Sequence, residues 1–445
     1  MKPKNISILG AGLVGSLLAI YLRKRGYEVT LYERRADMRK IKMAAGRSIN
    51  LALSDRGWKA LAGVGIDDAI RDIGIPMYSR MMHSTDGKLT SQNYGKDGQA
   101  IYAVSRGILN CTLMDLAEKE GAKIFFEERC TGVNMPTGEI HLEHATTGEK
   151  RNVTADLIFG ADGAYSAARL QLQFTDRYDY SQDYLKFGYK ELVFDAGANG
   201  QHQLEKNCLH IWPRGGYMLI ALPNLDGSFT ATLFFPDKGT PSFESLSSKE
   251  KVLEFFKEVF PDTLQLMPTL ADDFFANPTG SLVTVKCSPW SFNNKLVLIG
   301  DAAHAIVPFY GQGMNCGFED CTVLNDLLNK HNDNWEHAIP EYEKMRKPAA
   351  DAIGELAVNN FIEMRDLVGH PDFLLRKKIE GLFYGKHPDK WIPLYTMVTF
   401  SHLPYNEAQT RGKKQDGIMD EVMRIPGIEN LWDSDQVEKK ILSLL

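Results

Sequence analysis

Apolar and polar positions follow short, regular blocks at the start of the chain. Residues 5–9 form a brief β-like run, residues 11–25 carry apolar side chains at the spacing of an amphipathic helix closed by Gly26, and residues 28–32 form a second β-like run. Strand, helix and strand in that order make a βαβ unit. A basic, Gly-containing stretch over residues 36–54 then leads to helical patterns at 58–61 and 67–73, which Gly74-Ile75-Pro76 stops. Residues 77–94 alternate and turn as a hairpin, and residues 108–120 have a helical period. Residues 123–126, 139–144 and 157–159 read as strands returning toward the first sheet.

From residue 184 to 235 the apolar residues fall in short runs broken by Pro213, Gly215, Gly216, Pro223 and Gly227, the pattern of an antiparallel sheet. Residues 295–299 are a strand entering a Gly-rich turn, and from Cys316 onward the pattern is mostly helical, apart from loops at 369–372 and 386–393. No internal repeat or low-complexity linker interrupts the chain. The expected fold class is α/β. A parallel-sheet domain is assembled from residues 1–75, 101–180 and 281–330, an antiparallel sheet domain from 76–100 and 181–280 is inserted in it, and residues 331–445 form a helical C-terminal region.

Composition narrows the class without changing this picture. The 445 residues suffice for two or three domains, and 44% hydrophobic with 24% charged residues is the balance of a globular chain. A net charge of −6 lacks the basic excess that a phosphate backbone demands, which excludes nucleic acid as the main partner. Six cysteines (Cys111, Cys130, Cys208, Cys287, Cys316, Cys321) with no CxxC pair are expected to be reduced thiols, and no metal site is expected from them. The start shows no signal-peptide pattern and no run of about 18 apolar residues occurs, so a soluble, cytoplasmic protein without a membrane anchor is expected. No heptad or self-complementary patch specifies an oligomer.

The candidate chemistry starts at Gly10-Ala11-Gly12-Leu13-Val14-Gly15, between a strand and a helix. There, missing side chains let backbone N–H groups and the positive helix end approach a pyrophosphate. Glu33 closes the second strand, where its carboxylate can accept hydrogen bonds from ribose hydroxyls and would repel a 2′-phosphate, favouring FAD or NAD over NADP at this site. Gly160-Ala161-Asp162-Gly163 and Ile299-Gly300-Asp301 are two further Gly/Asp turns that follow strand patterns. Gly311-Gln312-Gly313-Met314-Asn315 opens a helix whose N–H groups can stabilise an anion on a reduced flavin. His304, behind Asp301, reads as packing rather than as a base.

The order GxGxxG, Asp-Gly, Gly-Asp resembles the single-component FAD-dependent aromatic monooxygenases, which implies an FAD-binding Rossmann-like domain with an inserted substrate sheet. Further blocks narrow the resemblance to the kynurenine 3-monooxygenase family: Gly46-Arg47-Ser48-Ile49-Asn50-Leu51-Ala52-Leu53-Ser54, Asp179-Tyr180-Ser181-Gln182, Leu209-His210-Ile211-Trp212-Pro213-Arg214, the segment from Ala302 to Asp320, and Pro393-Leu394-Tyr395-Thr396-Met397-Val398-Thr399-Phe400. The resemblance runs from about residue 6 to about residue 400. It implies that FAD, NADPH and O₂ serve the 3-hydroxylation of L-kynurenine through a flavin C4a-hydroperoxide, within tryptophan degradation or quinolinate biosynthesis. A counterpart of the C-terminal anchor of eukaryotic members is not expected from the residues after Phe400, and a cytoplasmic enzyme is.

The same resemblance assigns residues. Arg80 is expected on the substrate carboxylate, assisted by Tyr94, with Asn360, Glu363 and Tyr395 as further substrate contacts. FAD is expected at Gly10, Gly12, Val14, Gly15, Glu33, Ala52, Arg106, Cys130, Asp162, Asp301, Pro308, Gly313, Met314 and Asn315, with Cys130 acting through its backbone if at all. Asp162 and Gly163 also hint at use of the nicotinamide nucleotide. Read without the family, Arg80 would be a surface charge and Tyr94 a half-buried hairpin aromatic. No protein base is expected, because the aniline nitrogen of the substrate already activates its ring.

Overall fold

A computed structural model describes residues 3–40, 50–95, 98–367 and 370–445. Gly46, Arg47, Ser48 and Ile49 of the block cited above lie outside them. The first strand, Asn5–Leu9, is the centre of a six-stranded sheet ordered Ser291–Phe292, Leu296–Leu298, Leu157–Gly160, Asn5–Leu9, Glu28–Glu33, Lys123–Phe126. All its pairings are parallel except that of the short edge strand Ser291–Phe292. Parallel strands need covering on both faces, and the helix Leu13–Lys24 covers one by burying Leu17, Leu18, Ile20, Tyr21 and Leu22. Each such side chain contributes about 1.5–3 kcal/mol.

A seven-stranded sheet runs Gly280–Ser288, Asp179–Phe194, Phe229–Pro236, Met218–Pro223, Cys208–Pro213, Ser79–His83, Leu89–Asn93. It is antiparallel except where Ser79–His83 joins Cys208–Pro213 in parallel. One face carries a second core, in which Trp212, Phe229 and Phe235 pack on Phe256 and Phe274 from the helices Lys249–Val259 and Leu270–Ala276. A third sheet, Asn50–Leu53, Ile101–Ser105 and Gly74–Met77, is antiparallel. The C-terminal helices include Trp335–Ile362, Pro371–Lys386, Leu394–Thr399 and Tyr405–Met423.

Several elements differ from the sequence pattern for identifiable reasons. Residues 139–144 do not return to the parallel sheet. They pair with Glu128–Asn134 and Lys150–Thr154 in a separate three-stranded sheet, a local pairing that the alternation cannot distinguish from a distant one. The helix at residue 67 ends at Arg71, and the Gly-Ile-Pro expected only to stop it belongs to the strand Gly74–Met77. What reads from residue 184 as short broken runs begins with one strand of 16 residues, Asp179–Phe194, whose polar first half pairs with Gly280–Ser288 alone. Among the described residues no helix is long and apolar enough to cross a membrane.

Candidate functional site: a dinucleotide cradle beside an aromatic pocket

The carboxyl ends of three neighbouring parallel strands deliver the Gly/Asp turns to one edge of the sheet: Leu9 leads to Gly10, Gly160 to Asp162, and Leu298 to Gly300 and Asp301. That edge is where open α/β sheets bind nucleotides. The three motif glycines have different tasks. Gly10 has φ +100°, and a Cβ there would stand 2.6 Å from the Ala161 carbonyl oxygen. A Cβ on Gly15 would stand 2.1 Å from the Gly10 carbonyl oxygen, so this glycine lets the helix close on the turn. A Cβ on Gly12 would meet nothing within 4 Å, which leaves the N-terminus of the helix Leu13–Lys24 open. That helix has no side-chain cap and no acidic residue in its first turn, so its free N–H groups suit a phosphate.

Glu33 is 5% exposed and accepts the Ala11 N–H at 3.0 Å, which ties the second strand to the Gly-rich turn. Burial alone would raise its carboxyl, but the Arg35 side chain, 2.8 Å away, and the Arg35 and Ala11 N–H groups hold it below the usual range. Asp162 caps the helix Ala167–Leu172 by accepting from the Ser166 hydroxyl and the Ala167 N–H. Its burial outweighs these bonds and raises its carboxyl. Asp301 stands exposed on the first turn of Asp301–His304, after Gly300 at φ +60°. Val14 packs where a side chain on Gly300 or Gly317 would have to stand.

A second open helix end belongs to Gly313–Lys330, which also has no side-chain cap and no acid in its first turn. Asn315 spends its side chain on structure: it accepts the Ser54 N–H at 2.9 Å and donates to the carbonyls of Ala52 and Gly311, both at 2.8 Å. It thus joins the edge strand Asn50–Leu53 to the turn before the helix. Pro308 is exposed at the start of that turn, and Arg106 is exposed at the start of Arg106–Lys119. Cys130 lies near Asp162, and burial pushes its thiol up to about 12, so it stays protonated. Glycine turns, two uncapped helix ends and an anionic Glu33 fit an FAD-type dinucleotide.

The pocket is built from distant segments. Arg80, on the strand Ser79–His83, points its guanidinium over the Tyr395 ring at 4.4 Å and the Tyr94 ring at 5.3 Å. Tyr395, on Leu394–Thr399, stacks on Tyr94 at 5.6 Å and on Tyr310 at 5.5 Å, with Phe400 closing the side. The Arg80 Nε and the Tyr94 hydroxyl are buried and have no hydrogen-bond partner. Burial disfavours the Arg80 charge, but the two tyrosines and Glu363 favour it more strongly, and burial keeps the Tyr94 hydroxyl protonated. Glu363 opens a π-helical turn, Glu363–Leu367, directly after Trp335–Ile362. Asn360 donates to the Phe309 carbonyl at 2.7 Å rather than to a partner on Arg80 or Tyr94.

The structure therefore joins Arg80, Tyr94 and Tyr395 in direct contact, places Glu363 near enough for its charge to act on Arg80, and ties Asn360 to the turn that carries Phe309 and Tyr310. Tyr310 and Phe400 were not singled out in the sequence, although Tyr310 precedes the Gly311-Gln312-Gly313 block and Phe400 closes the block around Tyr395. His304 is locked to Asp320 at 2.6 Å, and that carboxylate overrides burial to raise the imidazole well above its ordinary value. His304, Cys316 and Asp320 cluster as a cation site would. However, Arg346 already occupies it, with Nε 2.6 Å from Asp320 and Nη2 3.2 Å from the Cys316 sulfur.

The family model for an FAD binding domain matches residues 4–357. The kynurenine 3-monooxygenase of Flavobacterium johnsoniae is 54% identical over 441 residues, covering 99% of this chain and 98% of that protein. The chain belongs to the kynurenine 3-monooxygenase family. The family's enzyme from Flavobacterium psychrophilum is 52% identical, over 100% of this chain and 99% of that protein. At the level of fold, a solved tetrameric form of 2-methyl-3-hydroxypyridine-5-carboxylic acid oxygenase superposes with a TM-score of 0.68 at 21% identity, over 83% of this chain and 95% of that one. Membership in the kynurenine 3-monooxygenase family makes the protein an FAD-dependent monooxygenase acting on a small molecule.

Proposed function

We propose that the protein hydroxylates L-kynurenine to 3-hydroxy-L-kynurenine, with FAD resident and NADPH and O₂ consumed. The observation that carries the substrate assignment is the pair of buried, unpartnered donors, the Arg80 Nε and the Tyr94 hydroxyl, converging beside a stack of three tyrosine rings. Buried donors without acceptors are costly unless a ligand completes them. A planar aromatic amino acid does so, its carboxylate on Arg80 and Tyr94 and its ring between aromatic walls. Held by the Gly10–Gly15 turn and the uncapped helix ends at Leu13 and Gly313, FAD would supply the redox chemistry that links NADPH and O₂ to hydroxylation of the ring.

The chain's own residues bind, orient and exclude water. Arg80 fixes the carboxylate, and the Tyr94 hydroxyl, which stays protonated, donates a hydrogen bond to it. Glu363, whose charge favours that of Arg80, accepts from the substrate ammonium group. Asn360 holds the Phe309 carbonyl and so sets the turn between pocket and cradle. No residue needs to act as a base, because the aniline amine activates the carbon ortho to it, and His304 is committed to Asp320. On this reading residues 1–75, 101–180 and 281–330 hold FAD, while 76–100 and 181–280 face the substrate. Six free cysteines accord with a reducing, cytoplasmic setting.

The experiment is equilibrium binding to the FAD-loaded protein, followed by perturbation of the flavin spectrum, with L-kynurenine and with kynuramine, which lacks only the carboxylate. The carboxylate should strengthen binding by about a hundredfold, and the Arg80→Met variant should abolish the difference. Equal affinity for the two ligands would remove Arg80 from the substrate.

A further inference from the structure

Arg56 is 1% exposed, although it sits on the short helix Asp55–Ala62, and each of its three guanidinium nitrogens has a partner. Its Nε donates to the Val398 carbonyl at 3.1 Å, its Nη2 to the Leu403 carbonyl, and its Nη1 pairs with Glu319. Its face lies 3.9 Å from the centre of the Tyr405 ring. The two carbonyls bracket Phe400: Val398 lies in the last turn of the helix that carries Tyr395, and Leu403 lies beyond its end, so one side chain holds both sides of the turn that forms the pocket wall. A planar fork with five donors can do this, whereas a lysine ammonium cannot span the three partners.

The contacts continue inward. Glu319 also pairs with Arg346 at 2.5 Å, on the helix that carries Asn360, and Arg346 bonds Asp320, whose other oxygen accepts the Gly300 N–H at 3.0 Å. Tyr405 donates to Gln312 at 2.9 Å, just before the uncapped helix end at Gly313. Arg56 itself follows Ser54, whose N–H is held by Asn315. Two guanidiniums and the Asp320 carboxylate are thus buried, and Glu319 largely so, between the cradle and the pocket wall. Burying four charges is expensive, and apolar side chains would fill the volume at less cost. Directional bonds to particular carbonyls are what an apolar replacement could not supply.

We propose that Arg56 is a positioning residue: by clamping the Val398 and Leu403 carbonyls against Glu319, it sets where Tyr395 and Phe400 stand relative to Arg80 and keeps water from the reacting ring. The inference rests on the pocket reading above. It does not require Arg56 to touch substrate or FAD.

The test compares native, Arg56→Lys and Arg80→Met proteins, each loaded with FAD. It measures the KM for L-kynurenine, the fraction of NADPH oxidation released as H₂O₂, flavin occupancy, and amide hydrogen exchange in residues 394–405 without substrate. Arg56→Lys should retain flavin, exchange faster in that segment, raise KM about tenfold and raise the H₂O₂ fraction severalfold, as expected when one or two hydrogen bonds are lost. A merely structural role would lower the melting temperature and leave KM and the H₂O₂ fraction unchanged, and that result overturns the proposal. If Arg56→Lys does not fold, Glu319→Gln, which removes the counter-charge while keeping an acceptor, is read by the same criteria. Unaltered kynurenine turnover in Arg80→Met would instead overturn the pocket reading, so the two failures are distinguishable.

Discussion

The dinucleotide cradle is made of backbone, whereas the pocket beside it is made of side chains. In the cradle, Gly10, Gly12 and Gly15 act by lacking a Cβ, and two helix ends present N–H groups with no capping side chain. In the pocket, Arg80, Tyr94, Tyr310, Tyr395 and Phe400 come from four separated stretches of chain and meet only through ring and guanidinium contacts. A backbone site tolerates no added atom where packing is closed and needs no particular side chain where it is open. A side-chain site depends on the segments that carry its members and on what holds those segments together.

The contrast is broken most severely at Gly15. A Cβ there collides with the Gly10 carbonyl, so Gly15→Ala should cost about 3 kcal/mol or more of stability. Gly12→Ala, whose Cβ meets open space, should change apoprotein stability by less than about 1 kcal/mol while weakening FAD binding at least about tenfold. Denaturant unfolding and flavin titration of both variants check the pair, and equal behaviour would erase the distinction. In the pocket, Arg80→Met should keep flavin and lower kcat/KM for kynurenine by about a hundredfold or more, measured under steady-state conditions. Tyr94→Phe removes one hydroxyl and should lower kcat/KM by about tenfold, with the loss in KM rather than in flavin reduction.

The smallest expected effect concerns pH. The Glu33 carboxyl is lower in the folded chain than its ordinary value of 4.5, so the ionised group stabilises the fold above that pH and the contribution is lost as pH falls through the folded value. Glu33→Gln should therefore be less stable than the native chain at pH 7, and the gap should close on acidification below about pH 4.5. A gap that is constant down to pH 3 would detach Glu33 from the Arg35 and Ala11 contacts. Thermal unfolding across pH reads it directly.

The same contrast explains what could be read before the structure. The cradle is local: a strand, the glycines and a helix lie within residues 5–24, and Glu33 closes the next strand, so spacing alone carries the chemistry. The pocket is not. Nothing near Arg80 in the chain shows that it is buried against Tyr395, more than 300 residues later, and only the resemblance to relatives singled it out. Asn360 was singled out in the same way, and only the structure shows that its side chain donates to the Phe309 carbonyl. Arg56 was silent altogether, since an arginine after Ser54-Asp55 on a short helix reads as a solvated charge until its partners at residues 319, 398 and 403 are in place. Residues 139–144 failed for the same reason, as alternation gives a strand but not its neighbour.

The most direct test of the account is NADPH oxidation by the FAD-loaded protein with and without L-kynurenine, with 3-hydroxykynurenine and H₂O₂ measured together. The account predicts strong stimulation by kynurenine, with hydroxylated product matching the NADPH consumed and little H₂O₂. Stimulation that yields only H₂O₂, or no stimulation at all, would contradict it.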